Sequence, residues 1–190
     1  MRALIESIGE PRPARRPERT DHYGALVRSI VGQQLSTRAA RAIYGRLTDR
    51  FGGRPPTPQE VLADDPDELR TAAGLSHAKV RFLRSLAEHV EDRRVELDRL
   101  DELSDEDVAA ELLDVKGIGQ WSIDMFLMFQ LQRPDVLPVG DLGIRRAAER
   151  LYGLDELPGP TDLYRIGEPW RPYRTLASRY LWASLDNEPI

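Results

Sequence analysis

Hydrophobic side chains recur along most of the chain at intervals of three and four residues, the spacing that places them on one face of an α-helix. Segments of this kind, or segments that are apolar throughout, begin near Asp21, Ser36, Thr57, Asp65, His77, Ser104, Gln120, Asp141 and Tyr173. Alternating β-branched residues never persist for five positions, so strands are not indicated. The pattern therefore predicts an all-α fold of about nine or ten helices.

Capping residues mark where several of these helices should begin and end. The segments Thr57-Pro58-Gln59-Glu60 and Asp65-Pro66-Asp67-Glu68 each combine a capping residue, a proline at the first helical position and a glutamate three residues on. Gly52-Gly53 and Gly74 are placed to end helices. The segment from Gln120 to Leu131 is apolar on nearly every side, which predicts a central, buried helix.

The composition excludes several kinds of chemistry. The chain has 190 residues, of which 41% are hydrophobic and 31% charged, as expected for one folded domain or two small lobes. Because it contains no cysteine, it has no disulfide, iron–sulfur cluster, thiolate zinc site or cysteine nucleophile. Its three histidines are too few and too scattered along the sequence to suggest a metal cluster. No signal peptide and no run of 18 apolar residues occurs, so we expect a cytoplasmic protein outside the membrane.

The formal net charge of −5 argues at first against a nucleic-acid partner, but the charge is unevenly distributed. Residues 91–114 hold eleven acids and three arginines, so the rest of the chain holds 24 bases and 21 acids. The bases form four clusters: Arg12/Arg15/Arg16/Arg19, Lys79/Arg81/Arg84, Arg145/Arg146/Arg150 and Arg171/Arg174/Arg179. Each cluster is either a solvated helix face or a set of phosphate contacts.

The most informative segment, residues 113–122, has the sequence LDVKGIGQWS. Here one helix ends, a tight turn follows with Gly117 and Gly119 two positions apart, and another helix begins. Glycine allows the positive φ angles of such a turn and leaves the backbone open to an approaching surface. The N–H groups at the start of the second helix could bind a phosphate oxygen. An ordinary connection between two helices has the same local pattern.

A second glycine-containing junction lies at residues 137–146, where a loop passes into a helix at Gly140-Asp141. By itself, Asp141 would be interpreted as the cap of that helix.

Together, the hairpin and the Gly-Asp loop resemble the helix-hairpin-helix (HhH-GPD) DNA glycosylase superfamily, which is named for a hairpin and a Gly/Pro-rich loop ending in a catalytic aspartate. Residues 30–36 (IVGQQLS) and 170–174 (WRPYR), with Trp182, are similar to segments of its bacterial and yeast 3-methyladenine DNA glycosylases. The resemblance covers about residues 23–185.

The resemblance implies a two-lobed, all-helical fold without an N-terminal β domain. A single domain would span residues 1–190, with the helix-hairpin-helix at about 104–131. The composition of residues 9–19, with three prolines and four arginines, indicates a loose arm there. The expected partner is double-stranded DNA containing alkylated bases, bound by a monomer. No cofactor is expected, except a monovalent cation, Na⁺ or K⁺, at the hairpin.

The resemblance also implies roles for individual residues. Asp141 would be the catalytic residue. The pocket for the base would be lined by Trp121, Met125, Leu142 and Trp182. DNA would be contacted by Gln33, Gln34, Leu35, Ser36, Lys116, Gly117, Gly119 and Gln120, with Gln34 or Leu35 inserted into the base stack. The carbonyls of Leu113, Val115 and Ile118 would hold the cation, and no catalytic metal is implied.

Hydrolysis of an N-glycosidic bond passes through a cationic sugar, and most glycosidases use two carboxyl groups for it. The sequence offers one well-placed candidate, Asp141, since Asp124 on the apolar helix is better explained as a structural hydrogen-bonding group. One carboxylate suffices when the leaving base is already cationic, as purines alkylated at N3 or N7 are. We therefore expect activity on alkylated purines.

Trp121 stands where strand-cleaving relatives carry a nucleophilic lysine. Without that amine no Schiff base forms with the sugar, so a monofunctional glycosylase is expected. Two other functions stay open at this point. One is a non-catalytic DNA-binding protein that keeps the hairpin, and the other is a glycosylase for a different damaged base.

Overall fold

The structure, a computed structural model, describes residues 1–9 and 21–185. Within those ranges the chain forms eleven α-helices, short 3₁₀ helices at Leu97–Arg99 and Glu168–Trp170, and no β-strand. The α-helices are α1 (Arg2–Ile8), α2 (His22–Gly32), α3 (Thr37–Arg50), α4 (Pro58–Ala63), α5 (Pro66–Ala73), α6 (His77–Glu91), α7 (Asp105–Leu113), α8 (Gln120–Phe129), α9 (Leu142–Tyr152), α10 (Pro160–Gly167) and α11 (Arg174–Ala183). The predicted all-α fold is confirmed.

Two of these helices, α1 and α10, are not among the nine segments named from the sequence. The first buries no residue and has no side-chain cap, so no capping residue marked its start in the sequence. The second does carry a signal, because Pro160 occupies its first turn and Asp162 follows. No helix in the described ranges is long and apolar enough to cross a membrane. The predicted loose arm lies, apart from Gly9, outside the described residues.

The predicted helix starts are confirmed where capping residues supported them. Asp21 accepts a hydrogen bond from the Gly24 amide at 2.7 Å. Thr57 and Glu60 form a complete capping box, in which each side chain accepts a hydrogen bond from the other residue's amide. At the other end of a helix, Gly74 terminates α5 in the left-handed conformation.

The described residues divide into two compact units, in agreement with the expected two-lobed fold. The central unit comprises residues 21–123, and the terminal unit comprises residues 1–9 with 124–185. Fully buried side chains of the central unit include Leu26, Ile30, Leu47, Leu69, Leu83, Leu86 and Leu112. Those of the terminal unit include Ile144, Ala148, Leu163 and Leu181.

Helix α8 differs from the predicted helix that is buried on every side. Ile123, Leu127 and Met128 are buried, as expected. Trp121, however, is 42% exposed, because the first turn of α8 directly follows the surface hairpin. The prediction of all-round burial is therefore wrong for Trp121, although Ser122 and Ile123 of the same turn are buried.

Candidate functional site

The Gly-Asp loop of the terminal unit holds Asp141 at the N-terminus of α9. The Asp141 amide donates to the Pro138 carbonyl at 2.9 Å, which closes the turn before the helix. Its side-chain Oδ1 accepts a hydrogen bond from the Ile144 amide at 2.9 Å, so Asp141 caps α9 as predicted. The positive end of the helix dipole favours a negative charge at this position.

Trp182 provides a second donor to the same carboxylate oxygen. Its indole Nε1–H donates to Asp141 Oδ1 at 2.9 Å. The side chain is only 2% exposed, and its ring stacks against Phe129 with the centroids 6.1 Å apart. In this structure the ring is therefore buried, and the indole N–H is used in the hydrogen bond to Asp141. Stacking of Trp182 on a base stays a prediction.

Gly143 makes room for this arrangement, and sequence reasoning missed it. A Cβ atom on Gly143 would lie 3.0 Å from Asp141 Oδ1 and 3.4 Å from Trp182 Cδ1. A side chain here would therefore press on both partners of the hydrogen bond. The available signal was a glycine inside the first turn of a helix, where glycine is otherwise unfavourable.

The other predicted pocket residues differ in exposure. Trp121, in the central unit, and Leu142, in the terminal unit, are 42% and 46% exposed. Met125 is half-buried. Trp121 and Leu142 therefore expose apolar surface, and the pocket that these residues would form stays a prediction.

The hairpin of the central unit connects α7 to α8, and two of its own apolar side chains are buried and anchor it to the unit. Val115 and Ile118 are 1% and 7% exposed, and the Ile118 amide donates to the Val115 carbonyl at 3.1 Å. Leu113, Lys116 and Gly119 lie on the exposed side of the turn. The turn therefore presents its backbone, with one cationic side chain, to the surface.

The two glycines of the hairpin have different surroundings. Gly117 has a φ of +86°, and a Cβ atom there would lie 2.2 Å from Cγ of Phe82. A Cβ atom on Gly119 would meet no atom within 4 Å. The protein's own packing thus requires a glycine at 117, whereas the backbone at Gly119 is open to an approaching molecule.

The predicted DNA-contacting loop after α2 also divides into two parts. The Gln33 side chain donates from Nε2 to the Gly117 carbonyl at 2.7 Å, so it is bound to the hairpin. Gln34 and Leu35 are exposed, and Gln34 has a left-handed φ of +57°. Ser36 caps α3 through the Ala39 amide at 3.4 Å. Ser36 is exposed as well, but its hydroxyl is used in this cap, so Gln34 and Leu35 are the exposed residues at the tip of the turn.

Several cationic residues from the predicted basic clusters have intramolecular partners. Asp135 receives hydrogen bonds from Arg171 at 2.7 Å and from Arg174 at 2.8 Å, and these cations hold its pKa below the usual value although burial opposes them. Lys79 and Arg84 donate to backbone carbonyls near the C-terminal ends of α2 and α4. These four cations therefore stabilise the fold. Their partners are distant in the sequence, which is why local charge patterns left both interpretations open.

Comparison with known proteins accounts for both junctions at once. A family described as "HhH-GPD superfamily base excision DNA repair protein" matches residues 27–172, which include the hairpin and the Gly-Asp loop. DNA-3-methyladenine glycosylase 1 of Schizosaccharomyces pombe is 35% identical over 181 residues, covering 94% of this chain and 79% of that protein.

Solved structures give the same result. The Schizosaccharomyces pombe 3-methyladenine DNA glycosylase in complex with abasic DNA superposes with a TM-score of 0.86 at 34% identity, covering 97% of this chain and 90% of the other. The DNA-3-methyladenine glycosidase from Bacillus halodurans gives a TM-score of 0.82 at 39% identity, with 96% and 84% covered. The chain therefore belongs to the helix-hairpin-helix (HhH-GPD) superfamily of base excision DNA repair proteins.

Proposed function

We propose that the protein is a monofunctional DNA glycosylase that releases alkylated purines, cationic through N3 or N7 alkylation, from duplex DNA and so begins base excision repair. The observation that carries the proposal is the carboxylate of Asp141, held at a helix N-terminus by two N–H donors. Two relatives named for 3-methyladenine, the 3-methyladenine DNA glycosylase of Schizosaccharomyces pombe and the DNA-3-methyladenine glycosidase of Bacillus halodurans, support the substrate class. One of them binds abasic DNA, the product that base release would leave.

Asp141 acts in this proposal as a fixed negative charge. As the bond to the base breaks, positive charge develops on the sugar, and a preorganised carboxylate stabilises it without having to reorient. The amide of Ile144 and the indole of Trp182 hold one carboxylate oxygen in place. A second carboxyl group is not needed for protonation, because the leaving base is already cationic. Asp124, only 6% exposed on α8, has a structural role in this scheme.

The base must leave the duplex to reach Asp141. The exposed ring of Trp121 offers a surface on which an electron-poor base can stack. In the terminal unit, Leu142 directly follows Asp141 in the chain and is also exposed. An inserted side chain from Gln34 or Leu35 would fill the gap left in the base stack. Both side chains are exposed at the tip of their turn, as a wedge must be.

The hairpin binds the DNA backbone in this scheme. A phosphate oxygen would approach the open backbone around Gly119 and Gln120, with Lys116 providing positive charge. The carbonyls of Leu113, Val115 and Ile118 would hold a Na⁺ or K⁺ ion, which adds positive charge beside the phosphate. The Val115 carbonyl accepts one amide hydrogen bond and has a second lone pair for such an ion.

Because the proposed substrate is genomic DNA, we propose that the protein acts where that DNA lies, which in a bacterial cell is the nucleoid within the cytoplasm.

One copy of the chain carries both the hairpin and Asp141, so we propose that the protein acts as a monomer.

Incubation with methylated duplex DNA, followed by chromatography of the released bases, tests the proposal directly. We expect free 3-methyladenine or 7-methylguanine with the wild-type protein and none above background with Asp141→Asn. Tight binding to abasic duplex without any base release would instead indicate a non-catalytic DNA-binding protein. Release of only uncharged bases would show that the lesion class is wrong.

A further inference from the structure

One face of α6 contacts the turn at residues 33–35 through the end of α2. Lys79 lies on this face, and its Nζ donates to the Val31 carbonyl in the last turn of α2 at 2.7 Å. A carbonyl at a helix C-terminus has no partner within its own helix, and the ammonium group supplies one. The position at which α2 ends, and at which the exposed turn begins, is thereby fixed to α6.

The same face of α6 also supports the hairpin. Phe82 and Ser85 follow Lys79 at intervals of three residues, which places them along one side of the helix. The Phe82 ring packs directly beneath Gly117, where it occupies the space that a Cβ atom would need. The Ser85 hydroxyl accepts a hydrogen bond from the Lys116 amide at 3.2 Å. The hairpin and the end of α2 therefore share one support.

Gln33 joins the two supported segments directly. Its side-chain amide donates to the Gly117 carbonyl at 2.7 Å and lies 3.4 Å from the Ser122 hydroxyl, which is buried in the first turn of α8. The backbone of the next residue, Gln34, adopts a left-handed conformation that is uncommon for residues other than glycine. The exposed residues Gln34 and Leu35 thus directly follow Gln33, whose side chain is bound to the hairpin.

We propose that Gln33 is a positioning residue that holds the wedge, Gln34 and Leu35, at a set distance from the phosphate-binding hairpin. When the hairpin binds the backbone, the wedge is then already placed to enter the base stack. Insertion has to offset the loss of base stacking, so a turn ordered before binding inserts more readily than one that must be ordered during binding. This inference rests on the proposed function, since it assigns a role within base flipping.

Gln33→Leu removes the amide donor while keeping a side chain of similar size, and Gln33→Glu removes it with almost no change of shape. Gln59→Leu is a matched control, because Gln59 is an exposed glutamine of the same unit that donates to Glu91. The probe is a duplex containing an abasic analogue beside 2-aminopurine, whose fluorescence rises when the stack opens. Anisotropy on the same duplex gives the affinity of the hairpin for DNA.

We expect both Gln33 variants to bind the duplex within about threefold of wild type, and to lose most of the 2-aminopurine signal. Single-turnover base release from methylated duplex should fall about tenfold with little change in half-saturation, since misplaced groups reduce rates strongly. Gln59→Leu should match wild type in all three measurements. Melting temperatures of the variants identify any loss that comes from unfolding alone.

A double-mutant cycle separates positioning from general stability. In a Gln34→Ala/Leu35→Ala background there is no wedge to position, so Gln33→Leu should have no further effect on fluorescence or rate. An undiminished loss in that background, or a wild-type signal in the Gln33 variants, would overturn the inference. If the wild-type protein releases no base, the proposed function fails, while the fluorescence measurement still reports whether Gln33 controls insertion.

Discussion

The hairpin at residues 113–121 and the Gly-Asp loop at residues 137–144 are both junctions at which a helix begins, and each contains two glycines. In each, one glycine is closely packed by the protein itself: Gly117 lies against Phe82, and Gly143 lies against Asp141 and Trp182. The other, Gly119 or Gly140, has no atom within 4 Å of the position that a Cβ would occupy. Spacing alone does not distinguish these two kinds of glycine.

The two junctions differ in which groups are held in place and in which groups hold them. In the hairpin, side chains from elsewhere in the central unit, Gln33, Phe82 and Ser85, support a backbone that is then presented to the surface. In the Gly-Asp loop, N–H groups of the terminal unit support one side chain, Asp141. The first junction should therefore be sensitive to backbone shape, and the second to a single functional group.

The largest effect should follow from Asp141→Asn. Asparagine keeps the shape and the oxygen that caps α9, but it lacks the charge that stabilises the sugar cation. Loss of a preorganised electrostatic contribution of this kind costs about 3 kcal/mol or more, roughly two orders of magnitude in rate. Single-turnover release of methylated bases measures the loss, and affinity for abasic duplex should stay within about threefold. Near-normal turnover would remove Asp141 from the mechanism.

Gly117→Ala should produce the largest loss of stability, because its methyl group would overlap the Phe82 ring in a left-handed backbone conformation. Overpacking and strain of this kind cost about 2–4 kcal/mol, measured as the free energy of unfolding in urea. The matched variant Gly119→Ala has open space and should stay within about 1 kcal/mol of wild type. Equal losses in the two variants would contradict the distinction between the glycines.

Trp182→Phe should lower the rate of base release about tenfold, because it removes a hydrogen-bond donor to Asp141, and a hydrogen bond to a charged group contributes roughly 1.5 kcal/mol. Half-saturation with duplex should change little. Trp170→Phe is the control, because Trp170 is another buried tryptophan of the same unit whose indole donates to Tyr152 at 3.3 Å. If the two variants lose activity equally, packing rather than the contact with Asp141 explains the effect.

Gly119→Val should weaken DNA binding about fivefold without loss of stability, since its side chain would occupy space that a phosphate is proposed to use. The loss should be similar for damaged and undamaged duplexes, because phosphate contacts carry no sequence information. Fluorescence anisotropy on both duplexes makes the comparison. Unchanged affinity would show that the hairpin does not bind the backbone through Gly119.

The last prediction is a negative result: borohydride should trap no covalent adduct between the protein and DNA. The family resemblance implies that Trp121 stands where strand-cleaving members carry a lysine. The two lysines of the chain are placed elsewhere, with Lys79 bound to the end of α2 and Lys116 in the hairpin turn. No covalent adduct with DNA should therefore form, and strands should break only after hot alkali. A trapped adduct would show that an amine reaches the sugar.

The sequence by itself determined features that depend on a few neighbouring residues. The capping box of Thr57 and Glu60, the cap of α9 by Asp141 and the turn at Gly117 involve partners or backbone conformations within about four positions. Local patterns of this kind also carried the resemblance to the family. They predicted the helix order well because capping and amphipathic spacing act within single helices.

Tertiary structure alone decided how those local features are held. Gln33 contacts Gly117 across 84 positions, Trp182 contacts Asp141 across 41, and Arg171 contacts Asp135 across 36. Helical periodicity states which face of a helix is buried, but not which residue of another helix it meets. The direction and distance between helices are set by packing. These contacts between helices therefore decide whether a glutamine binds DNA or a hairpin, and whether a tryptophan faces a base or holds a carboxylate.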